Sequence, residues 1–200
     1  MQPPTATNRE RPTKKERAQR SRAAILASAQ EHFARSGFAG ATVRAIAQDA
    51  DIDPSMVIRY FGDKRGLFTA ATTVDVEVPD LSVLPEEQRG RAVVEHFLRI
   101  WDDGASSDLL SVLLRSAMTD PVARDRVVEI VEAHMLPMVT AVVSDEDEAP
   151  TRTGLIAGQV LGLALSRKVL ELPLTTDIPA QVLVNSVGAT IQQYLTAPLD

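Results

Sequence analysis

The 200-residue chain contains no cysteine. Disulfide staples, thiolate metal sites and a cysteine nucleophile are therefore excluded, and a reducing compartment is allowed. It also has only three histidines, scattered at His32, His96 and His134. That is a poor stock for acid–base chemistry, and neither an HExxH motif, paired-histidine metal spacing nor a phosphate-cradling glycine loop accompanies them. An enzymatic reading has no support, and no metal or cofactor is expected. No run approaches the roughly 20 apolar residues of a membrane span, and the N-terminal MQPPTATNRERPTKKERAQR lacks the apolar centre of a signal peptide. A soluble cytoplasmic protein with no membrane partner follows. Strand-type alternation is missing too, so the fold class is all-α.

What is present is a globular composition, 44% hydrophobic, on a chain long enough for one large or two small domains. The net charge of -6 argues at first against a nucleic-acid partner. It is an average over two unlike parts. Residues 1–75 hold 12 lysines and arginines against 8 acidic residues, whereas residues 76–200 hold 9 against 19, so +4 and -10 sum to the stated value. A phosphate-facing head on an acidic body is consistent with that split.

The basic part contains the stretch TVRAIAQDADIDPSMVIRYFGDKRGLF, residues 42–68. Val43, Ile46, Ala47 and Ala50 keep helical spacing, which stops at 51–54 and restarts at Val57, Phe61 and Leu67. Asp53 before Pro54 is a helix start, because the carboxylate accepts from unpaired first-turn N–H groups and proline has no donor to lose there. With Val57 and Phe61 one turn apart on the inner side, Ser55, Met56 and Arg59 fall outward and Tyr60 lies at the edge. Upstream, Ile25, Ala29 and Phe33 make one helical row beside Leu26, closed by Gly37. Three helices then enclose Ile25, Leu26, Phe33, Phe38, Val43, Ile46 and Phe61.

From about Ser21 to Ala71 this pattern resembles the DNA-binding domain of the tetracycline-repressor (TetR) family of bacterial transcription regulators. The residues that carry it are Ala50, Asp51, Ile52, Asp53, Val57, Tyr60, Phe61, Lys64 and Leu67. Two positions depart from the family pattern. Asp51 stands where glycine is usual, and aspartate tolerates left-handed backbone angles better than most residues; Ile58 stands where tyrosine is usual and cannot bond a phosphate. The resemblance implies a palindromic double-stranded DNA partner, contacted by Thr42, Arg44, Pro54, Ser55, Met56, Arg59, Tyr60 and Lys64. It also implies a repressor released by a small-molecule inducer of unknown identity, which shifts the fourth helix. The organisation expected is a disordered basic arm over 1–20, a helix-turn-helix domain over 21–68, and a ligand-binding and dimerisation domain over 69–200. The arm reads either as a solubilising tail or as an arm along the phosphate backbone or minor groove.

Beyond the head the pattern is helical at about 86–102, 108–118, 121–143, 151–172 and 179–195, with an exposed acidic loop at Asp145–Glu148. The apolar faces of the first three segments exceed what a small bundle needs and could surround a cavity. His96, Trp101, Met118, His134 and Met135 are the residues placed near it. Gly154, Gly158 and Gly162 share one helix face at a cost of roughly 1 kcal/mol each relative to alanine, best explained by the close approach of another backbone. In the family the last two helices form a dimer interface, which here would use those glycines with Leu165, Val182, Ser186 and Ala189 in a homodimer. The alternative function is a helical interaction protein whose head is degenerate at Asp51 and Ile58.

Overall fold

A computed structural model describes residues 13–73, 77–102 and 104–199, and of Ala105 and Ser106 the backbone alone. Among these residues the regular elements are helices without a strand, as the missing alternation implies. The arm expected over 1–20 lies outside the described residues as far as Pro12.

Helix α1 (Lys14–Gly40) starts seven residues before Ser21. The reason is a capping box: Thr13 Oγ1 accepts from the Glu16 N–H at 3.2 Å, and the Thr13 N–H donates to Glu16 Oε2 at 2.7 Å. Residues expected in the arm are thus the first turns of a helix, and Lys14, Lys15, Arg17 and Arg20 are exposed along it. Near its other end Gly37 takes φ 65 and kinks the chain. Helices α2 (Val43–Asp49), α3 (Pro54–Phe61) and α4 (Lys64–Ala71) follow. Helix α4 stops at Ala71, and residues 74–76 are not described.

The core of this head is Ile25, Ala29, Phe33, Ile46, Ala47, Val57, Leu67, Phe68 and Ala71. Phe33 meets Phe68 edge-on at 4.9 Å, and Phe38 meets Phe68 at 5.0 Å. Burying each such large side chain contributes about 1.5–3 kcal/mol. Leu26, Phe38, Val43 and Phe61 are only half-buried around it. Because Leu67, Phe68 and Ala71 complete the core, a boundary at residue 68 would cut through α4. Val112, Leu113 and Ala123 belong to the same core, although they come from the body.

The body comprises α5 (Arg89–Asp102), α6 (Gly104–Ala117), α7 (Pro121–Ile130), α8 (Leu136–Thr140), α9 (Ala149–Ala164), the short α10 (Pro173–Thr176), which the periodicity did not foresee, and α11 (Ala180–Thr196). Between α7 and α8 the helix widens into a π-turn at Val131–Met135, with the Leu136 N–H reaching back to the Val131 carbonyl. Pro137 explains it: a proline inside a helix has no N–H to give and clashes with the preceding turn, and an inserted residue relieves the conflict.

Helices α5 and α11 form the tightest pair. A Cβ at Gly90 would stand 2.3 Å from the Gly188 carbonyl oxygen, and the Gly90 N–H donates to Gln192 Oε1 at 2.9 Å. These are the glycines that permit close backbone approach within the chain. At Gly154, Gly158 and Gly162 an added Cβ would meet nothing within 4 Å. Arg152, 4% exposed, locks α9 to the end of α11: it pairs with Glu148 and donates to the backbone carbonyls of Tyr194 and Ala197. A charge so buried is tolerable because its donors are satisfied.

Candidate nucleic-acid interface and body cavity

The outward side of the head is built by three local caps. Thr42 Oγ1 accepts from the Ala45 N–H at 3.2 Å and starts α2. Asp53 Oδ1 accepts from the Ser55 N–H at 2.8 Å and starts α3, with Pro54 in the first position. The Ser55 side-chain and backbone hydrogen bonds hold the Asp53 carboxyl below its ordinary pKa, which keeps an anion at the positive end of the helix. Asp63 Oδ1 accepts from the Gly66 N–H at 2.8 Å and starts α4.

Between α2 and α3 the turn closes on Asp51, which adopts φ 54, the left-handed region its side chain tolerates. Its N–H donates to the Gln48 carbonyl, and the Ile52 N–H to the Ala47 carbonyl at 2.9 Å. Glycine is therefore dispensable at this position.

With Val57 fully buried, α3 turns Pro54, Ser55, Ile58 and Arg59 to the exterior, while Met56 and Tyr60 are half-buried. Thr42 and Arg44 are exposed on α2. Tyr60 leans on Phe61, ring centroids 6.3 Å apart, and Ile58 is 46% exposed. Such a surface offers hydroxyls and guanidinium groups over a rigid scaffold, the chemistry that base edges and phosphates accept. Lys64 has partners within the head. Its Nζ donates to the Ala39 carbonyl at 3.2 Å and lies 4.6 Å over the Phe38 ring, tying α4 to the end of α1.

The body holds a cavity of about 130 Å³. Val93, His96, Phe97, Ile100 and Trp101 of α5, Leu110, Leu113 and Leu114 of α6, and Val127, Ile130, Val131 and Met135 around the π-turn line it, with Val78, Pro79, Met138, Val160 and Leu161. Three of the five residues proposed for a pocket are thus brought together: His96, Trp101 and Met135. Met118 is not among them; it stands at the end of α6, 66% exposed. His134 is half-buried in the π-turn but does not reach the wall. The shift of register caused by Pro137 was not readable from a plain 3.6-residue period. Val160 and Leu161 of α9 also line the wall; apolar residues beside the glycine row were the available signal for them.

His96 is 7% exposed. Arg99 Nη2 approaches its Nδ1 at 3.2 Å, and its Nε2 is buried without a hydrogen-bond partner among the described residues. Burial first, and the Arg99 charge second, push its pKa below the ordinary histidine value, so the ring is neutral at neutral pH. No group of three or more metal-ligating side chains occurs among the described residues.

Of the positions proposed for an interface, Gly154, Gly158, Gly162, Val182, Ser186 and Ala189 are exposed and Leu165 is half-buried. Leu155, Leu170, Leu172 and Leu174 add apolar exposed surface on or near α9 and α10. Nothing among the described residues covers this face.

A capped helix-turn-helix with an exposed guanidinium-bearing helix, set on a helical body with an apolar cavity, defines a transcription regulator of the DNA-binding class. Comparison with known proteins gives the family. Residues 25–71 match the description "Bacterial regulatory proteins, tetR family", and residues 87–195 match "Tetracyclin repressor-like, C-terminal domain". The chain belongs to the TetR family of non-enzymatic DNA-binding regulators. It is similar to the HTH-type transcriptional repressor AcnR of Corynebacterium glutamicum, 28% identical over 179 residues, covering 88% of this chain and 80% of the relative. It is similar in structure to a TetR-family regulator from Streptomyces coelicolor A3, with TM-score 0.70 and 28% identity over 93% of this chain and 98% of the other. NalD of Pseudomonas aeruginosa, the secondary repressor of the MexAB-OprM multidrug efflux pump, shares the fold at TM-score 0.71 and 17% identity, with 92% and 100% coverage.

Proposed function

We propose that this DNA-binding regulator is a repressor that binds a palindromic operator as a homodimer and leaves it when a small apolar inducer occupies the body cavity. The observation that carries the ligand-responsive part is Leu113. It is buried to 1% exposure, lines the cavity, and belongs to the core of the head. A ligand that moves Leu113 acts on the head core directly, so α6 is a route between cavity and DNA surface alongside the fourth helix that the family resemblance implies. Packed cores shift between discrete arrangements rather than deforming continuously, and a change in head separation would spoil the match to successive major grooves. Linkage then requires operator DNA to weaken the inducer by the same factor.

The face of Gly154, Gly158 and Gly162, with Leu165, Val182, Ser186 and Ala189, supports pairing with a second copy through α9 and α11. Its open Cβ positions leave room for another backbone to approach. A repressor acting on chromosomal DNA works in the cytoplasm, and no described helix is long and apolar enough to cross a membrane.

Selection of the preferred DNA from a random pool tests this reading. An inverted repeat with two half-sites is expected. A preferred site without symmetry rules out the homodimeric operator, and failure to bind random duplex at low salt leaves the interaction-module alternative in its place.

A further inference from the structure

The chemistry of the cavity wall restricts what it can hold. Sixteen of the seventeen lining residues are apolar or aromatic, none carries a charge, and the remaining one is His96. An ion entering such a lining would lose its hydration without a counter-charge, which is costly. The volume of about 130 Å³ resembles that of an engineered apolar cavity of ~150 Å³ that takes up benzene, so the occupant is about one substituted ring in size.

His96 has a defined tautomer. A guanidinium has no acceptor, so the contact of Arg99 Nη2 with Nδ1 at 3.2 Å makes Nδ1 the acceptor. In a neutral imidazole the proton is then on Nε2, the atom that is buried and has no partner among the described residues. A buried donor left unmade is unfavourable, and a ligand that supplies an acceptor relieves it. The Trp101 indole in the same wall is likewise a donor only.

We propose that the cavity selects neutral, ring-sized apolar molecules that carry one hydrogen-bond acceptor, such as a ketone or ether oxygen, and that the Nε2–H of His96 is the donor that reads it. This rests on the ligand-responsive reading above and names the ligand class for it. Hydrocarbons of the same shape fill the space without the hydrogen bond. Carboxylates of the same size meet an uncharged wall.

The chain has a single tryptophan, and it lines the cavity, so intrinsic fluorescence reports occupancy at the site itself. The full chain is titrated with acetophenone, with isopropylbenzene as its hydrocarbon counterpart, and with benzoate. The expected order is acetophenone tightest, isopropylbenzene weaker by roughly tenfold, the scale of one neutral hydrogen bond, and benzoate weakest. His96→Phe should remove the advantage of acetophenone while leaving isopropylbenzene unchanged. His96→Gln, whose amide keeps an N–H donor, should restore it, and this comparison stands even if the phenylalanine variant fails to fold. Equal binding of acetophenone and isopropylbenzene, or tightest binding of benzoate, overturns the assignment of His96 as donor and leaves the cavity reading intact. No fluorescence change or thermal stabilisation with any of the three overturns the cavity as a ligand site and this proposal with it.

Discussion

The head and the body of this molecule solve the packing problem in different ways. In the head, short helices are pinned by side-chain caps at Thr42, Asp53 and Asp63, and the aromatic group of Phe33, Phe38 and Phe68 closes its centre. The body joins longer helices at a glycine contact between α5 and α11, interrupts one with the π-turn at Val131–Met135, ends α9 in a second π-turn at Leu165–Val169, and leaves a cavity and a face that no described residue covers. The head is organised to hold one surface still. The body keeps spare volume and spare surface, which a rigid bundle of the same length would have filled.

The largest effect should come from the closed centre of the head. Phe33→Ala removes a side chain that is 1% exposed and in contact with two other rings, and should cost about 3–5 kcal/mol. Urea unfolding checks this; a loss below about 1 kcal/mol would mean the head is no better packed than the body.

The two sets of glycines sharpen the contrast within the body. Gly90→Val places a Cβ against the Gly188 carbonyl oxygen, a backbone atom that cannot step aside, and should destabilise by about 3 kcal/mol, the upper end of the overpacking range. Gly158→Leu meets open space in the chain. Its helix content by circular dichroism should stay unchanged while light scattering shows the mass fall from two chains to one. A Gly158→Leu protein that remains a dimer would move the interface elsewhere.

These differences also explain what could be read in advance. The head was legible because its signals are local: Asp53-Pro54 starts α3, Thr42 starts α2, and Val57 marks the inner side, each within a few residues of its effect. The earlier start of α1 was equally local, since Thr13 and Glu16 have capping-box spacing, yet the surrounding charge and prolines outweighed it. In the body, the apolar faces of α5 and α6 disclosed that a cavity could form. They did not disclose that Met118 would turn outward or that His134 would miss the wall, because both depend on how distant helices cross. The contact of Lys64 with the Ala39 carbonyl, 25 residues away, lies beyond a local reading for the same reason.

A smaller effect tests the buried histidine of the body against the head. The folded-state pKa of His96 is depressed by burial and by Arg99, so below the unfolded value of about 6.5 the unfolded chain binds a proton that the folded chain resists. Its contribution to stability is fully present above that pH and declines as the pH falls through it. Stability measured by denaturant between pH 7.5 and pH 5 should fall more steeply for the wild type than for His96→Phe. Parallel curves would mean that His96 is not held neutral by the fold.

The central claim, that the exposed side of α2 and α3 reads DNA, is tested most directly by comparing Arg59→Ala with Arg44→Ala on the selected operator, on its single-base variants and across salt concentrations. Arg59 lies on the exposed side of α3, where a guanidinium can bond guanine O6 and N7. Its loss should cost about 1–3 kcal/mol and relax preference at one position of each half-site. For Arg44, exposed in the first turn of α2, we propose a phosphate contact. Its loss should weaken all sequences alike and reduce the salt slope by about one unit. If Arg59→Ala weakens every sequence equally while Arg44→Ala changes base preference, α3 is not the recognition helix and the account is contradicted.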